Sequence, residues 1–364
     1  MGSILYIVIA LLVIMILVLA HEFGHYIAAR LAGVKATEFF IGFGPRIWSF
    51  RKGDTEYGIK WILVGGYVKI LGMNPDEEVS PEDRPHSYNG VSRWRRFWII
   101  FAGSLSHIIL ALLIMLIAIW LIGYPFATST IGAVSQTMPD SEQDTPAYRA
   151  GLQEGDAILA MNGEEVGDWN DVRSFIADHP GEEVTLLISR DGVEQEFQVQ
   201  LAERDGGGYL GIGPKEGYEG YSFFGAAEKT FWWFGQASYG VAYGFYRVFN
   251  LSTLKQLVGI SEPTIERPVT VVGASRVAGQ FFRYGIFYFL SFIAVILLFL
   301  AYINLLPLPP LDGGYLLVLL VEKITGKDID LRKLYPIAVA VLLFFGALFL
   351  LTLRLDLTNP INLP

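Results

Sequence analysis

The chain has 364 residues, of which 52% are hydrophobic, and a formal net charge of −9 at pH 7. It contains no cysteine, which excludes disulfides, thiolate metal sites and thiol catalysis. Its basic residues adjoin apolar runs and form no separate patch, so the sequence indicates no nucleic-acid partner.

Long apolar runs without charge are the main feature of the chain. About 20 apolar residues cross a bilayer as a helix, so each run predicts a membrane-spanning helix. For the first run the alternative is a cleaved signal peptide. That run lacks a basic start, and the motif HEFGH lies where a cleavage site would fall. The four runs are residues 4–20, 97–125, 285–311 and 334–353.

The uneven charge predicts an orientation in the membrane. Residues 124–284 contain 22 acidic and 11 basic residues, whereas residues 35–96 contain 8 acidic and 10 basic ones. Lys and Arg are enriched on the cytosolic side next to spanning helices. Arg30 and Arg93 lie next to the first and second predicted spans. We therefore expect residues 33–96 in the cytosol, with the N-terminus and residues 124–284 outside.

Residues 223–249 are rich in aromatics and glycine, and residues 230–246 carry no charge. The glycines and the polar Gln236 and Arg247 favour an amphipathic helix on the outer membrane surface over a fifth span. With that helix on the surface, the third span ends at Asn304 on the side that holds HEFGH.

The motif HEFGH, at the end of the first span, is an H-E-x-x-H pattern. On a helix His21 and His25 share a face and can bind one zinc ion, while Glu22 can act as a general base. Ionisable groups in a membrane helix are costly unless they are paired or functional. The sequence therefore predicts a Zn²⁺ site.

Asp312 is the candidate third ligand, because a catalytic zinc ion usually has three protein ligands. The number of spans returns it to the membrane face that holds HEFGH. Pro307 and Pro309 break the helix before it, and Gly313 and Gly314 allow a tight turn. The alternative interpretation of Asp312 is an ordinary turn residue.

HEFGH in the first helix and the Asn304 to LDG segment before the last resemble the site-2 protease family. Within it the chain is most similar to bacterial enzymes that act on anti-sigma factors, in particular the actinobacterial branch with a single PDZ domain. Other matching segments are IGFGP at 41–45, GGYVK at 65–69, FAG at 101–103 and LTNPI at 357–361.

The resemblance implies that His21, His25 and Asp312 bind zinc. It also implies that Glu22 is the general base and that Asn304 positions the substrate backbone. A hairpin would pair with a substrate that has unwound into an extended strand, the alternative being a purely structural turn. The hairpin residues are Gly65, Gly66, Tyr67, Val68 and Lys69.

His107 departs from the family pattern, since it stands where relatives often have an asparagine. It either donates a hydrogen bond to the developing oxyanion or acts as a buried polar contact. The family's DGGH reads DGGY here, ending at Tyr315, which removes no expected ligand.

Residues 146–163 resemble part of a bacterial PDZ domain. Residues 131–134 would be its groove strand, residues 171–177 its groove helix, and residues 205–208 a flexible joint after it. Such a domain excludes substrates with bulky outer domains, binds a newly exposed C-terminus, or acts as a spacer. We expect size exclusion.

The predicted fold is a polytopic α-helical membrane protein with four transmembrane helices. It has an inserted extracytoplasmic α/β PDZ-like domain and a cytosolic, membrane-associated β-hairpin region. The predicted segments are 1–32 (first span), 33–96 (cytosolic), 97–124 (second span), 127–204 (PDZ-like), 205–284 (outer linker), 285–315 (third span and LDG), 316–333 (cytosolic), 334–354 (fourth span) and 355–364 (outer tail).

The predicted function is that of a zinc metalloendopeptidase in the cell membrane. It would cut single-pass membrane proteins such as anti-sigma factors after a first cut on the outer side. Its partners would be that substrate and the lipid bilayer. The alternative is a membrane-embedded PDZ adaptor with a structural zinc ion. A zinc transporter would need polar groups across the whole membrane depth, and the candidate ligands cluster at one side.

Overall fold

The computed structural model describes residues 2–139, 141–248, 250–264 and 267–361, with the side chains of residues 2–11 and 64 left aside. Phe249 and the last three residues of the predicted tail therefore lie outside the described residues. The chain forms two compact units, one of Met1–Ala118 with Gly225–Pro364 and the other of Ile119–Phe224.

Helices dominate the first unit. Among the described residues, four helical stretches are long and apolar enough to cross a membrane: Leu12–Leu31, Arg93–Leu121, Ile286–Asn304 and Leu331–Thr358. This number confirms the four predicted spans. The helices of the whole chain are α1 (Gly2–Leu31), α2 (Arg93–Leu121), α3 (Pro146–Ala150), α4 (Trp169–Asp178), α5 (Phe223–Val248), α6 (Leu251–Leu257), α7 (Val271–Tyr284), α8 (Ile286–Asn304), α9 (Asp312–Thr325) and α10 (Tyr335–Thr358).

Two long strands follow α1, namely β1 (Ala36–Lys52) and β2 (Thr55–Ile70). Residues 38–41 of β1 have Cα partners in two stretches of β2, 56–59 and 66–69. The stretch 66–69 therefore lies at an outer edge of this paired structure. It packs against α1, where a Cβ on Gly66 would lie 2.8 Å from Leu19 Cδ2. The predicted β-rich stretch is present, but the sequence analysis did not find its partner β1.

A buried ion pair joins α10 to the segment that begins α7. The Arg267 Nη1 donates to Asp356 Oδ1 at 2.7 Å, and both side chains are almost fully buried. Asp356 Oδ2 accepts from the Thr270 amide and hydroxyl at 2.7 Å and from the Gly273 amide at 3.2 Å. The carboxylate thus satisfies free N–H groups at the N-terminus of α7, where a negative charge is favoured.

The second unit is built on a β-sheet in the order β10-β3-β4-β6-β7, with β5 paired to β4. Its buried core includes Ile131, Ile158, Leu186 and Leu210. The strands are β3 (Tyr124–Val134), β4 (Ala157–Met161), β5 (Glu164–Glu165), β6 (Glu183–Arg190), β7 (Val193–Gln200), β8 (Ala202–Arg204), β9 (Gly207–Tyr209) and β10 (Ile212–Glu219).

Residues 131–134 lie in β3, which β10 pairs with on one side, and Ile131 bonds to the 155–156 backbone on the other. The groove between residues 131–134 and the helix at 171–177 stays a prediction. The prediction of a flexible joint at residues 205–208 is wrong. They close the β8–β9 hairpin, with Asp205 and Gly206 at positive φ of 51° and 81°, which is the turn that Asp-Gly favours.

A second ion pair lies within this unit. Arg190 Nε and Nη2 donate to the two oxygens of Asp156 at 2.7 Å each, and Asp156 is 1% exposed. Burial alone would raise the pKa of Asp156. Hydrogen bonds from Arg190 and from the Gln153 amide outweigh it, so the pKa lies below its ordinary value of 3.8.

Candidate metal centre

The centre depends on a close approach of α1 and α2. A Cβ on Gly24 would lie 2.3 Å from the Ala102 carbonyl oxygen, so only glycine lets the two backbones come this near. The Ser106 hydroxyl on α2 also donates to the Ala20 carbonyl of α1 at 2.9 Å. This contact brings backbone carbonyls of α2 next to the HEFGH side chains.

His21 and His25 are buried on the face of α1 that meets α2. The Nδ1 of His25 lies 2.8 Å from the Ile99 carbonyl oxygen. Since a carbonyl only accepts, Nδ1 carries the proton and the lone pair of Nε2 is free for a metal. The Nε2 atoms of the two histidines are 3.1 Å apart.

Asp312 opens α9 directly after the proline-rich break and faces both histidines. Its Oδ2 lies 3.2 Å from His21 Nε2 and 3.4 Å from His25 Nε2. A Cβ on Gly313 would lie 2.2 Å from the Leu305 carbonyl oxygen, so the tight return of the chain requires glycine there. The structure thus brings the three predicted ligands together.

The spacing of these three atoms fits a zinc ion. Tetrahedral zinc with bonds of about 2.0–2.1 Å places neighbouring ligand atoms about 3.3 Å apart. The observed separations of 3.1, 3.2 and 3.4 Å match this value. Asp312 Oδ2 is buried and accepts no well-aligned hydrogen bond from the described residues. A cation would satisfy it, and three ligands leave one position open.

A cavity of about 350 Å³ opens beside the three ligand atoms. Glu22 and Asn304 line it, as the sequence predicts for a base and a substrate-positioning amide. The Oε2 of Glu22 accepts a hydrogen bond from the Val68 amide at 2.9 Å. The cavity also has apolar walls to which the sequence analysis assigned no role: Val18, Ile70, Met73, Leu300, Pro310 and Leu311.

The five predicted hairpin residues do not all face the cavity. Val68 lines it, whereas ideal Cβ positions at Gly65 and Gly66 contact Val18 and Leu19 of α1. The Tyr67 hydroxyl donates to Glu38, and burial together with this bond raises its pKa, so it stays neutral.

Lys69 forms an ion pair with Glu77 at 3.0 Å, away from the ligand atoms. Of the five residues, Val68 is thus the one whose place next to the base gives it a direct chemical role.

His107 is buried, with its ring centroid 5.0 Å from that of His21. Its Nε2 lies 2.9 Å from the Leu17 carbonyl oxygen, so Nε2 carries the proton of the neutral ring. The Nδ1 then has no proton to donate to an oxyanion. Of the two alternatives for His107, this geometry favours the buried polar contact.

Comparison with known proteins decides the family. The model of peptidase family M50 matches residues 9–351. The chain belongs to peptidase family M50. It is 30% identical to the zinc metalloprotease Rip1 of Mycobacterium tuberculosis and 31% identical to a putative zinc metalloprotease of Clostridium acetobutylicum, covering 98% of each chain in both cases. It is 27% identical to the zinc metalloprotease RasP of Geobacillus kaustophilus over 87% of this chain and 89% of that one.

These similarities confirm the predicted resemblance, the enzyme class and the cofactor. The M50 protein is a zinc metalloprotease, and its four apolar helices make it a multi-pass membrane protein. Among solved structures, the PDZ domain of an SdrC-like protein from Listeria innocua covers 26% of this chain at 17% identity. The TM-score of 0.21 is too low to assign that fold to the second unit.

Proposed function

We propose that this M50 protease hydrolyses a peptide bond within the spanning helix of a single-pass membrane protein. The main support for this proposal is that the Nε2 atoms of His21 and His25 and the Oδ2 atom of Asp312 lie within 3.4 Å of one another. They do so beside a cavity that Glu22 and Asn304 also line, inside a bundle of apolar helices.

The residues have distinct roles in this proposal. His21, His25 and Asp312 hold the metal, and zinc, when bound, supplies a Lewis acid that activates water at neutral pH. Glu22 accepts the proton of the attacking water and passes it to the leaving amine. His25 keeps its orientation through the Ile99 carbonyl.

The substrate must unwind before its peptide bonds become accessible, because a helix satisfies its own backbone groups. The outer edge of β2 at residues 66–69 offers replacement backbone partners to an extended segment. Asn304 carries an amide in the cavity lining and supports the same segment by hydrogen bonds to its backbone.

The rival proposal, a membrane adaptor with structural zinc, fits the centre less well. Structural zinc sites are closed by four protein ligands. Within the described residues, the cluster contains three donors that could hold an ion, and a 350 Å³ cavity adjoins it. An open position beside a carboxylate base is the arrangement of a hydrolase.

The proposed setting follows from the charge pattern and the family. Arg30 at the C-terminal end of α1 and Arg93 at the N-terminal end of α2 support a cytosolic position for these ends, so that the cut would fall near the cytosolic face. The substrate class is a single-pass protein, such as an anti-sigma factor, that a first protease has already trimmed outside. The second unit, as a PDZ-like domain outside the membrane, excludes substrates with bulky outer domains. The outer-surface position predicted for α5 is contradicted, because Ser238 and Phe245 of α5 contact Tyr302 and Phe299 near the end of α8 that carries Asn304.

The test is cleavage of a synthetic single-pass peptide with a short outer flank by the full-length, zinc-loaded protein. We expect Glu22→Gln to retain zinc and to lose cleavage by at least about 100-fold, the usual minimum for a general base. Glu194→Gln, at an exposed residue of the second unit, controls for the loss of one negative charge. Equal cleavage by the parent and by Glu22→Gln would refute the assignment of the base. Absence of cleavage by the parent on several trimmed peptides would favour the adaptor.

A further inference from the structure

The hydrogen bond between the Val68 amide and Glu22 joins the two parts of the site that have separate tasks. Val68 belongs to the β2 edge proposed to receive the substrate, and Glu22 is the proposed base. The amide nitrogen lies 2.9 Å from Glu22 Oε2. A bond to a carboxylate is charge-assisted and is stronger than an amide–carbonyl bond.

This bond and a docked substrate strand are mutually exclusive. A strand added to a sheet edge lies about 4.8 Å from its neighbour and accepts the outward N–H groups. At 2.9 Å from the Val68 nitrogen, the Glu22 carboxylate already occupies the place of a substrate carbonyl. The structure therefore shows the edge closed against α1.

Glycine flanks this edge at both ends. Gly65 and Gly72 flank it with φ of +98° and +73°, a region that glycine enters without strain. Between them, the edge is held to the rest of the sheet by its pairing with β1, for example Phe39 with Val68. Release of the Glu22 side chain from Val68 would thus leave the pairing with β1 intact.

We propose that the Val68 N–H is a positioning group that is exchanged during substrate binding. In the resting protease it holds the Glu22 carboxylate. When an unwound substrate segment pairs with the β2 edge, a substrate carbonyl takes the N–H and Glu22 is released toward the water that attacks. This inference rests on the proposed function, and it makes docking of an extended backbone the event that frees the base.

Residue-resolved hydrogen exchange on the full-length, zinc-loaded protein tests the resting contact without any measurement of activity. We expect the Val68 amide to exchange about tenfold faster in Glu22→Ala than in the parent, since a hydrogen bond to a charged group is lost. The Leu71 amide is the internal control, because it donates to the Lys35 carbonyl at 2.9 Å and should not change. Equal exchange at Val68 in the two proteins would overturn the proposal.

The Glu22→Ala variant also tests the change of hydrogen-bond partner at Val68, because it can bind the peptide used in the cleavage assay without cutting it. Adding that peptide to Glu22→Ala should slow exchange at Val68 to the rate of the parent or below. If the parent cuts the peptide but the peptide does not slow hydrogen exchange at Val68, the proposed change of hydrogen-bond partner is refuted and the proposed function stands. A peptide that neither binds Glu22→Ala nor is cut by the parent refutes both.

A comparison of two substitutions isolates the donor. In the Glu22→Ala protein, Val68→Pro removes the N–H, and Val68→Ala removes side-chain atoms while keeping it. Proline is tolerated at a sheet edge where its missing N–H points away from the neighbouring strand. We expect the proline protein to bind the peptide about 3- to 10-fold more weakly than the alanine protein, as for one lost amide–carbonyl bond. Equal affinities would overturn the proposal.

Discussion

Gly103 on α2 is where one added methyl group tests the metal centre most directly. A Cβ there would lie 2.3 Å from His25 Nε2 and 2.7 Å from His21 Cε1. Cβ atoms do not come nearer than about 3.0 Å to other non-bonded heavy atoms, so His25 would have to withdraw by about 0.7 Å. Metal–ligand distances deviate from their ideal values by only about 0.2 Å. Gly103→Ala should therefore weaken zinc binding by at least about 100-fold, the upper range for losing a group that merely orients a ligand.

Zinc retained after dialysis against a graded series of chelator concentrations measures this effect, with peptide cleavage as a second readout. Gly346→Ala in α10 is the matched control, because a Cβ at Gly346 would meet no atom within 4 Å. Helix propensity alone favours alanine over glycine by about 1 kcal/mol at both positions. If Gly103→Ala held zinc as tightly as the parent, the placement of His21 and His25 around the ion would be wrong.

Three further predictions concern the rest of the chain. Gly273→Ala would place a Cβ 2.6 Å from Asp356 Oδ2 and should lower the free energy of unfolding by about 3 kcal/mol, as for a broken buried ion pair. Gly279→Ala lies on the same helix, where a Cβ would meet no atom within 4 Å, and should not lower the free energy of unfolding. Thermal unfolding in detergent compares the two variants. Because the pKa of Asp156 is lowered by folding, its pair with Arg190 stabilises the second unit above pH 3.8, and this stability is lost as the pH falls through the lower folded pKa. Asp156→Asn should make the melting temperature of this unit lower at pH 7 and flatter below pH 4, and an unchanged pH profile would contradict the argument. Size exclusion predicts that a folded domain fused to the outer end of the peptide blocks cleavage until a protease removes it, and undiminished cleavage of the fusion would speak against it.

The proximity of the three candidate ligands was predictable from simple geometry. Residues four apart on a helix must share a face, so His21 and His25 were predictable as a pair from HEFGH alone. Asp312 followed from counting spans, since an even number of crossings returns the chain to one side. Both arguments use geometry that tertiary packing cannot easily alter.

The pairing of β3 with β10, which lies about 80 positions later, could not be predicted, because no local pattern marks it. The wrong prediction of a joint at 205–208 has a different cause. The hairpin there was predictable, because Asp205-Gly206 is a hairpin signal that outweighs the run of glycines. Gly103 stood out as part of a motif, yet its role needs the coordinates, since it depends on two side chains of another helix.

The donor set also explains why a cation belongs at this centre. Asp312 and Glu22 are both carboxylic acids, and the described residues that line the cavity include no Lys or Arg to balance them. Burying carboxylates in a membrane core is costly unless they are paired. The start of α9 helps Asp312 by only about 0.3–1 kcal/mol, and the Val68 amide occupies one oxygen of Glu22. A bound zinc ion would supply the missing positive charge, held by His21 and His25 of α1 and Asp312 of α9. If a substrate strand takes the Val68 amide, the Glu22 carboxylate is free to accept the proton of the attacking water.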